Sequence, residues 1–401
     1  MDYKEKLTMR KRRAKKYSLD KKHILSISLL IFTLVSVVTI LVNFGKSSSN
    51  VIASSKESVK YYPRQYSDSN ITDNAKITDP RFKNVTFRSG SSLLGNVISS
   101  IKKNDFVGPD SGPENGSWLW TPILNITPEY RDSIILGAKK NGVKNIYLSI
   151  DSYLDIYVMP DGDEKVEKKK QFDEVIRGFI RKAKENGITV DAEAGWRNWA
   201  EIGNSYKAFA IINYAIDFNK TNIEKFRGIQ YDIEPYLLDY YEKNKVSVLG
   251  NFINLVDETV ARLDGSDLIL TVVIPEFYDA TNNNTPLIFY AGKKVSTVDQ
   301  LLRILDKRDG SKIIIMSYRN WSKGVDGSID ISKDEIEKAN DYRTKIVLAQ
   351  ETGEVHPPYV TFHNTSKTHF KRQLGFLLEA FNGEESFDGI AIHYVNSYME
   401  L

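Results

Sequence analysis

Residues 228–236 read Gly-Ile-Gln-Tyr-Asp-Ile-Glu-Pro-Tyr, a short run that alternates apolar and polar residues up to Glu234 and ends in Pro-Tyr. Alternate side chains of a β-strand point to opposite faces, so Gln230, Asp232 and Glu234 share one face. The apolar residues between them share the other. If the polar face points into a closed sheet, these side chains line up along its axis. The stretch therefore predicts a strand that carries carboxylates to the mouth of a barrel.

Seven further short runs of apolar, β-branched or aromatic residues lie before and after this stretch, and longer amphipathic segments separate them. Their predicted starts are Trp118, Asn145, Ile188, Leu268, Lys312, Lys345 and Gly389. Segment 171–186 is typical of the helices between them, because its apolar residues fall on one face and an Asn-Gly pair follows as a C-cap. Eight such units in about 285 residues predict an α/β fold, a (β/α)8 TIM barrel. The alternative, a doubly wound open sheet, normally has a glycine-rich turn where this chain has Trp-Thr-Pro at 120–122.

The amino terminus is strongly basic and precedes a long apolar run. Residues 1–22 hold ten Lys or Arg against three acidic residues, so this tail carries +7 in a chain of net charge +3. Residues 24–44 contain no charged residue, and a helix of that length spans the roughly 30 Å hydrocarbon core of a bilayer. The charge asymmetry predicts a cytoplasmic tail at 1–22 and a transmembrane signal anchor at 23–44. A signal peptide cleaved near Val51–Ala53 is the alternative, although the apolar run exceeds the roughly 7–15 residues of such peptides.

Composition after the anchor indicates a stalk followed by a folded domain. Residues 45–112 are rich in Ser, Lys, Asn and Asp and predict a partly disordered linker, and the barrel is expected at 113–401. The part beyond the basic tail carries about −4, so no nucleic-acid partner is expected. The chain has no cysteine, which excludes disulfides, thiolate metal sites and a cysteine nucleophile. The expected location is the cell membrane, with a single pass and the barrel outside the cytoplasm, on a bacterial cell surface.

The carboxyl ends of the strands are where a TIM barrel places its active site. The candidates there are Gln230, Asp151, Glu193, Asp232, Glu234, Glu276, Tyr318, Arg319, Glu351, His393 and Tyr394. So many acidic residues would repel one another in a dry core, and they predict a polar cleft for a neutral, hydroxyl-rich substrate or for a cation. The negative charge of Asp232 close to Glu234 favours a proton on one of the pair, so Glu234 is the expected general acid. An isolated Asp-x-Glu has a structural alternative as a helix cap or a partner of Lys and Arg.

The run 228–236 resembles the strand-4 motif of family 18 glycoside hydrolases, Asp-x-x-Asp-x-Asp-x-Glu. Asp232 and Glu234 match its last two acidic positions, whereas Arg227 and Gln230 occupy the first two. The resemblance implies that Glu234 is the acid and that Asp232 orients an N-acetyl group of the substrate, which acts as the nucleophile.

Two later strands add to this resemblance in part. Met-Ser-Tyr at 316–318 is similar to the Met-x-Tyr of the family's sixth strand, but Arg319 stands where an Asp usually follows. His393 or Tyr394 would replace the aromatic residue that the eighth strand usually contributes.

A second resemblance is to the retaining glycosidases of clan A, which place an acid Glu after strand 4 and a nucleophile Glu after strand 7. Here Glu234-Pro235 follows the fourth strand and Gln-Glu-Thr-Gly at 350–353 closes the seventh. Tyr318 fits a strand-6 tyrosine that is common near the nucleophile, whereas Ile233 stands where Asn usually precedes the acid. This resemblance implies that Glu351 is the nucleophile.

Both resemblances imply a glycosidase that retains anomeric configuration, and no cofactor is expected. The predicted anchor and stalk indicate action on a cell-envelope or extracellular polysaccharide. Aromatic rings support a sugar cleft, because pyranose faces stack on them; Trp120, Trp196 and Trp321 are the expected platforms, with Trp199 beside them. An inactive glycan-binding barrel is one alternative. A metal-dependent hydrolase or deacetylase is the other, although the chain lacks His-x-His and His-Glu-x-x-His patterns.

Overall fold

The computed structural model describes residues 114–280 and 285–401. Its strands are β1 Glu114–Leu119, β2 Asn145–Ser149, β3 Thr189–Ala194, β4 Gly228–Tyr231, β5 Ile269–Pro275, β6 Ile288–Tyr290, β7 Lys293–Val295, β8 Lys312–Met316, β9 Lys345–Glu351 and β10 Phe387–His393. Eight of them form a closed parallel barrel in the order β1-β2-β3-β4-β5-β8-β9-β10, while β6 and β7 form an antiparallel hairpin. The predicted TIM barrel is confirmed.

Helices lie between successive barrel strands. They are α1 Pro128–Lys140, α2 Tyr153–Tyr157, α3 Asp163–Glu185, α4 Ser205–Thr221, α5 Tyr241–Arg262, α6 Thr297–Leu305, α7 Lys333–Ala339, α8 Lys367–Ala380 and α9 Val395–Glu400. Helix α3 contains most of the predicted segment 171–186 and buries Phe172, Ile176 and Phe179 on one face. It ends at Asn186 and Gly187, whose φ of 72° is a left-handed conformation that glycine adopts without strain.

The two faces of the strands pack differently. Outward side chains such as Ile229, Tyr231 and Ile233 join the core between barrel and helices. Inward side chains form a second apolar cluster, the inner cluster, made of Trp118, Tyr147, Val273, Ile314, Met316, Val347, Ala349 and Ala391. Because these side chains fill the interior, it is a packed core and not a channel. Burial of each large apolar side chain contributes about 1.5–3 kcal/mol to stability.

The end of the barrel where the strands begin is closed by an ionic network, which we name the floor: Glu114, Asp191, Arg227, Lys312 and Asp388. Arg227 contacts Glu114 at 3.0 Å and Asp191 at 2.6 Å, and Lys312 lies 2.6 Å from both Glu114 and Asp388. Burial alone would raise the pKa of Glu114, but the two cations lower it from 4.5 to about 2. The floor carboxylates are therefore held by formal positive charge.

The largest differences from the predicted element boundaries are at the start of β1 and the end of β4. Strand β1 begins at Glu114, four residues before the predicted Trp118, because its first residues face the floor and lack an apolar pattern. Gly116 is required in this segment, since a Cβ there would lie 2.2 Å from the Tyr147 hydroxyl. Strand β4 ends at Tyr231, so the carboxylates predicted within it follow the strand.

Within the described ranges, no helix is long and apolar enough to cross a membrane. The predicted tail at 1–22, anchor at 23–44 and linker at 45–112 lie outside the described residues.

Candidate active site

The opposite end of the barrel, where the strands finish, is the mouth. The chain leaves β4 through Asp232 and Glu234 and enters a short 3-10 turn, Pro235–Leu237. Proline at the first position of the turn fixes its direction, and Tyr236 then folds back so that its hydroxyl donates to Glu234 Oε1. Tyr236 is also anchored edge-on against Phe277, at a ring separation of 5.4 Å.

Tyr236 stays a proton donor under ordinary conditions. Burial, followed by the charge of Glu234 and their hydrogen bond, holds the pKa of Tyr236 well above its usual range. Its bond to Oε1 fixes the orientation of the Glu234 carboxyl and leaves Oε2 available. Tyr236 was not predicted as a site residue, although a Glu-Pro-Tyr turn directly after a strand is a local signal for it.

Glu351 is the last residue of β9 and is almost fully buried, with a side chain that is 3% exposed. Its two carboxyl oxygens have different donors: Oε1 accepts from the Gly353 backbone N–H at 2.6 Å, and Oε2 contacts His393 Nδ1 at 2.7 Å. Charge-assisted bonds of this length hold a carboxylate in one orientation. Gly353 was quoted in the sequence analysis but was not assigned a role.

His393 ends β10 and joins two neighbouring strands. Besides Glu351 it contacts Trp120, which follows β1, through a 3.1 Å bond between Trp120 Nε1 and His393 Nε2. The peptide bond from His393 to Tyr394 is cis. The predicted residues Glu351, His393 and Trp120 therefore form one hydrogen-bonded chain across β9, β10 and β1.

Tyr318 follows β8 and links this chain to the β4 side of the mouth. Burial raises the pKa of Tyr318 well above its usual range, and the charges of Glu351, Asp232 and Glu234 add to that shift, in this order. The three carboxylates predicted as catalytic thus converge within electrostatic range of one phenol.

Asp151 follows β2 and Asp232 follows β4, and both are held by backbone contacts at the end of β3. Asp151 Oδ1 accepts from the Gly195 backbone N–H at 3.1 Å, and the Asp232 N–H donates to the Ala194 carbonyl at 3.2 Å. A Cβ at Gly195 would lie 2.1 Å from the Asp232 carbonyl oxygen, so only glycine permits this approach of the two chain segments.

A polar layer lies inside the barrel, one strand position below the mouth. Glu193 on β3, Gln230 on β4 and Thr271 on β5 are register neighbours, and each is at most 1% exposed. Among the described residues, neither the Gln230 amide nor the Thr271 hydroxyl has a hydrogen-bond partner. Glu193 and Gln230, predicted to bind substrate, are therefore deep side chains that only a group inserted into the barrel could contact.

Glu276 and Arg319 lie together on the β5–β8 side of the mouth. Arg319 Nη2 is 3.4 Å from Glu276 and 2.8 Å from Asp326. Burial raises the pKa of Glu276, and the attraction of Arg319 counteracts part of that rise. The charge of Arg319 is thus matched by acidic neighbours.

The predicted aromatic residues separate into two groups. Trp120, Tyr318 and Tyr394 pack on the inner cluster, as Tyr236 does. The other tryptophans lie elsewhere: Trp196 packs on the outer core, Trp199 is 2% exposed within it, and Trp321 stacks near Tyr359 with ring centroids 6.1 Å apart. The first group is the aromatic lining next to the carboxylates.

Two features bear on the alternatives left open by the sequence. Arg227, at the first position of the family 18 motif, lies in the floor and not at the mouth. In residues 114–280 and 285–401, His, Asp and Glu side chains form no group of three or more that could hold a metal ion.

Comparison with known proteins gives a likeness of fold. No protein-family model matches the chain, and no curated protein matches it in sequence. Among solved structures, the endo-1,4-β-D-mannanase of Thermotoga petrophila RKU-1 has a TM-score of 0.48 at 14% identity, over 70% of this chain and 88% of that one. The spore cortex-lytic enzyme SleL of Bacillus megaterium QM B1551 has 0.38 at 13%, over 74% and 75%. The D-psicose 3-epimerase of Clostridium cellulolyticum H10 also has 0.38, at 12%, over 72% and 89%.

These scores lie below 0.5 and the proteins named differ in activity, so the likeness does not identify a reaction. The chemistry of the mouth has to be derived from its own residues.

Proposed function

We propose that this chain is a membrane-anchored, extracytoplasmic glycoside hydrolase that acts on a cell-envelope or extracellular polysaccharide with retention of configuration. The observation that carries the proposal is the pair of oriented carboxyl groups at the mouth: Tyr236 holds Glu234 after β4, and Gly353 and His393 hold Glu351 at the end of β9. Paired carboxyl groups at the mouth of a barrel are the machinery of glycosidic bond cleavage, one as acid and one as nucleophile.

Glu234 is the acid in this mechanism. Tyr236 occupies Oε1 as a donor, which leaves Oε2 to carry the proton that passes to the glycosidic oxygen as the bond breaks. In the second step the same carboxylate takes a proton from water.

Glu351 is the nucleophile. The contacts to its two oxygens, from Gly353 N–H and His393 Nδ1, hold the carboxyl group in one direction. Attack of this carboxylate on the anomeric carbon forms a glycosyl-enzyme, and water then releases the sugar with its original configuration. Burial and the nearby carboxylates hold the pKa of Tyr318 well above its usual range, so its hydroxyl stays protonated and can act as a donor in this mechanism.

A substrate-assisted route uses the same acid. In it the acetamido oxygen of an N-acetylated sugar attacks the anomeric carbon, Asp232 orients the acetamido group, and Glu351 contacts substrate without bonding to it. The two routes differ in which carboxylate is indispensable, and that difference can be measured.

A neutral sugar chain fits the charges of the mouth. The carboxylates there repel an anionic polymer, and Arg319 is already matched by Glu276 and Asp326. Tyr236, Tyr318 and Tyr394 supply ring faces and hydroxyl groups for pyranose rings. A membrane anchor at 23–44 and a stalk at 45–112 would restrict the reach of the barrel to polysaccharide at the cell surface.

The experiment incubates the purified full-length protein with peptidoglycan and with neutral and N-acetylated polysaccharides, and measures released reducing ends and the anomer formed first. We expect release with retention, and a 2-fluoro glycosyl fluoride of the matching sugar should label Glu351. Hydrolysis restricted to N-acetylated chains, lost in D232N and kept in E351Q, would instead establish the substrate-assisted route. Glycan binding that survives E234Q, with no reducing ends from the wild type, would establish a binding barrel and refute the hydrolase.

A further inference from the structure

The hydrogen bonds of His393 have defined directions. An indole Nε1 can only donate, so in the 3.1 Å contact with Trp120 the His393 Nε2 must be the acceptor. A neutral imidazole that accepts at Nε2 carries its proton at Nδ1, and that nitrogen lies 2.7 Å from Glu351 Oε2. The proton order is therefore Trp120 N–H to His393 Nε2, and His393 Nδ1–H to Glu351 Oε2.

The other protonation states of His393 conflict with this geometry. An imidazolium, or the tautomer protonated at Nε2, would direct an N–H at the Trp120 N–H across the same 3.1 Å. Removal of the Nδ1 proton would leave two acceptors facing each other at 2.7 Å, Nδ1 and Glu351 Oε2. Both contacts hold together only in the neutral, Nδ1-protonated form.

The surroundings of His393 restrain its ring. Its neighbours are the aromatic rings of Trp118, Trp120, Tyr318 and Tyr394, at centroid separations of 5.6, 5.9, 6.3 and 5.4 Å. With a side chain that is 19% exposed, the imidazole has little room to turn over, which would put ring carbons where its two nitrogens make these contacts.

We infer that Trp120 and His393 are positioning residues for Glu351: Trp120 fixes the tautomer of His393, and His393 Nδ1–H holds the Glu351 carboxylate in one orientation. The tautomer stands by itself, whereas the positioning role rests on the proposed function. Trp120, expected from the sequence to be a sugar platform, acts on the reaction through two hydrogen bonds and not by stacking. The backbone N–H of Gly353 completes the restraint on the second oxygen of Glu351.

The tautomer is read directly by ¹⁵N NMR of the full-length protein labelled at histidine. The chain has five histidines, and the loss of one signal pair in H393N assigns His393. We expect a protonated Nδ1 and an unprotonated, hydrogen-bonded Nε2 at pH 7, and a shift of Nε2 in W120F, which keeps an aromatic ring and removes the donor. A wild-type signal from the Nε2–H tautomer or from imidazolium would overturn the inference, as would an Nε2 shift unchanged in W120F.

The positioning role is read from kcat and KM on whichever polysaccharide the wild type hydrolyses. W120F and H393L should lower kcat about 10- to 100-fold, the scale of a misplaced reacting group, with KM within about 2-fold. H393N should recover most of kcat, because its amide N–H can replace Nδ1–H, and H356N, in an exposed loop, is the matched control that should change neither constant. An increase in KM alone in W120F would show a platform for sugar and overturn the positioning role.

The two measurements separate the possible failures. If no polysaccharide is hydrolysed by the wild type, the proposed function fails while the NMR result still decides the tautomer. If hydrolysis occurs and the tautomer is wrong, only the role of Trp120 and His393 fails.

Discussion

The floor and the mouth of the barrel both hold buried carboxylates, but they stabilise them in opposite ways. In the floor Glu114 and Asp191 lie against Arg227 and Lys312, so negative charge meets formal positive charge. At the mouth the donors to Glu234 and Glu351 are neutral, namely the Tyr236 hydroxyl, the His393 imidazole and the Gly353 backbone N–H. Neutral donors orient a carboxylate without cancelling its charge.

This difference predicts that the floor carboxylates contribute to stability and that Glu234 and Glu351 at the mouth contribute to chemistry. A carboxylate neutralised by Arg or Lys is a poor base and a poor nucleophile, whereas one held only by neutral donors keeps its charge for a reacting atom. We expect substitutions in the floor to affect folding and substitutions at the mouth to affect activity, and the following predictions test that division.

The largest expected effect is on turnover in E234Q. Loss of the acid should lower kcat about 10²- to 10⁴-fold while the free energy of unfolding changes by less than about 1 kcal/mol, because the amide can still accept from Tyr236. Reducing-end assays and urea unfolding of the same preparation measure both quantities. A destabilisation as large as that of a floor variant would break the division between the two ends.

Next in size is the effect of R227M on folding. Removal of Arg227 leaves Glu114 with Lys312 alone and takes away the Arg partner of Asp191, which should cost about 3–5 kcal/mol. Urea unfolding gives the value. R181M is the matched control, because Arg181 pairs with Glu224 at the surface, where the loss should stay within about 1 kcal/mol.

If R227M does not fold, K312M measures the other half of the network and should also destabilise. Equal stability of K312M and the wild type would mean that the floor contributes little.

A third prediction concerns acid. Burial would raise the pKa of Glu114, but Arg227 and Lys312 lower it to about 2 in the folded protein, against an ordinary value of 4.5 that the unfolded chain keeps, so the unfolded state binds more protons between these values. Stability should therefore fall as pH drops from about 4.5 to about 2, by roughly 3 kcal/mol from this residue. Unfolding free energies across that range should have a shallower slope in E114Q than in the wild type; parallel slopes would contradict the assignment.

The smallest expected effect is a gain of stability in Q230M. The buried Gln230 amide has no hydrogen-bond partner among the described residues, and an apolar side chain of similar volume removes that cost, about 1–3 kcal/mol. Thermal unfolding measures the change. A loss of stability would show that the amide is satisfied in the folded protein.

The barrel could be predicted from the sequence because its signals are local. The starts of β2, β4, β8 and β9 coincide with the predicted residues, since each begins an apolar run after a turn. The start of β1 was missed because Glu114 and Gly116 are there for partners on other strands, Arg227 and Tyr147. The hairpin β6–β7 was also missed, as it has only three residues in each strand.

The candidate site could be predicted in part. Strand ends identified the carboxylates, because the fold fixes where their side chains gather. The sequence could not assign the contacts that hold them: Gly353 acts through its backbone, and Trp120 reaches Glu351 only through His393. Such links depend on which strands are neighbours in the closed barrel and on the direction of each hydrogen bond.

The closed floor restricts how a substrate could reach the barrel and how a product could leave it. With Arg227 and Lys312 tied into the floor and Tyr147 and Trp118 packed above it, the barrel has no passage along its axis. A polymeric substrate of the proposed enzyme would therefore lie across the mouth. Its products would leave past the same residues that admitted the substrate, so product release would depend on the mouth as well.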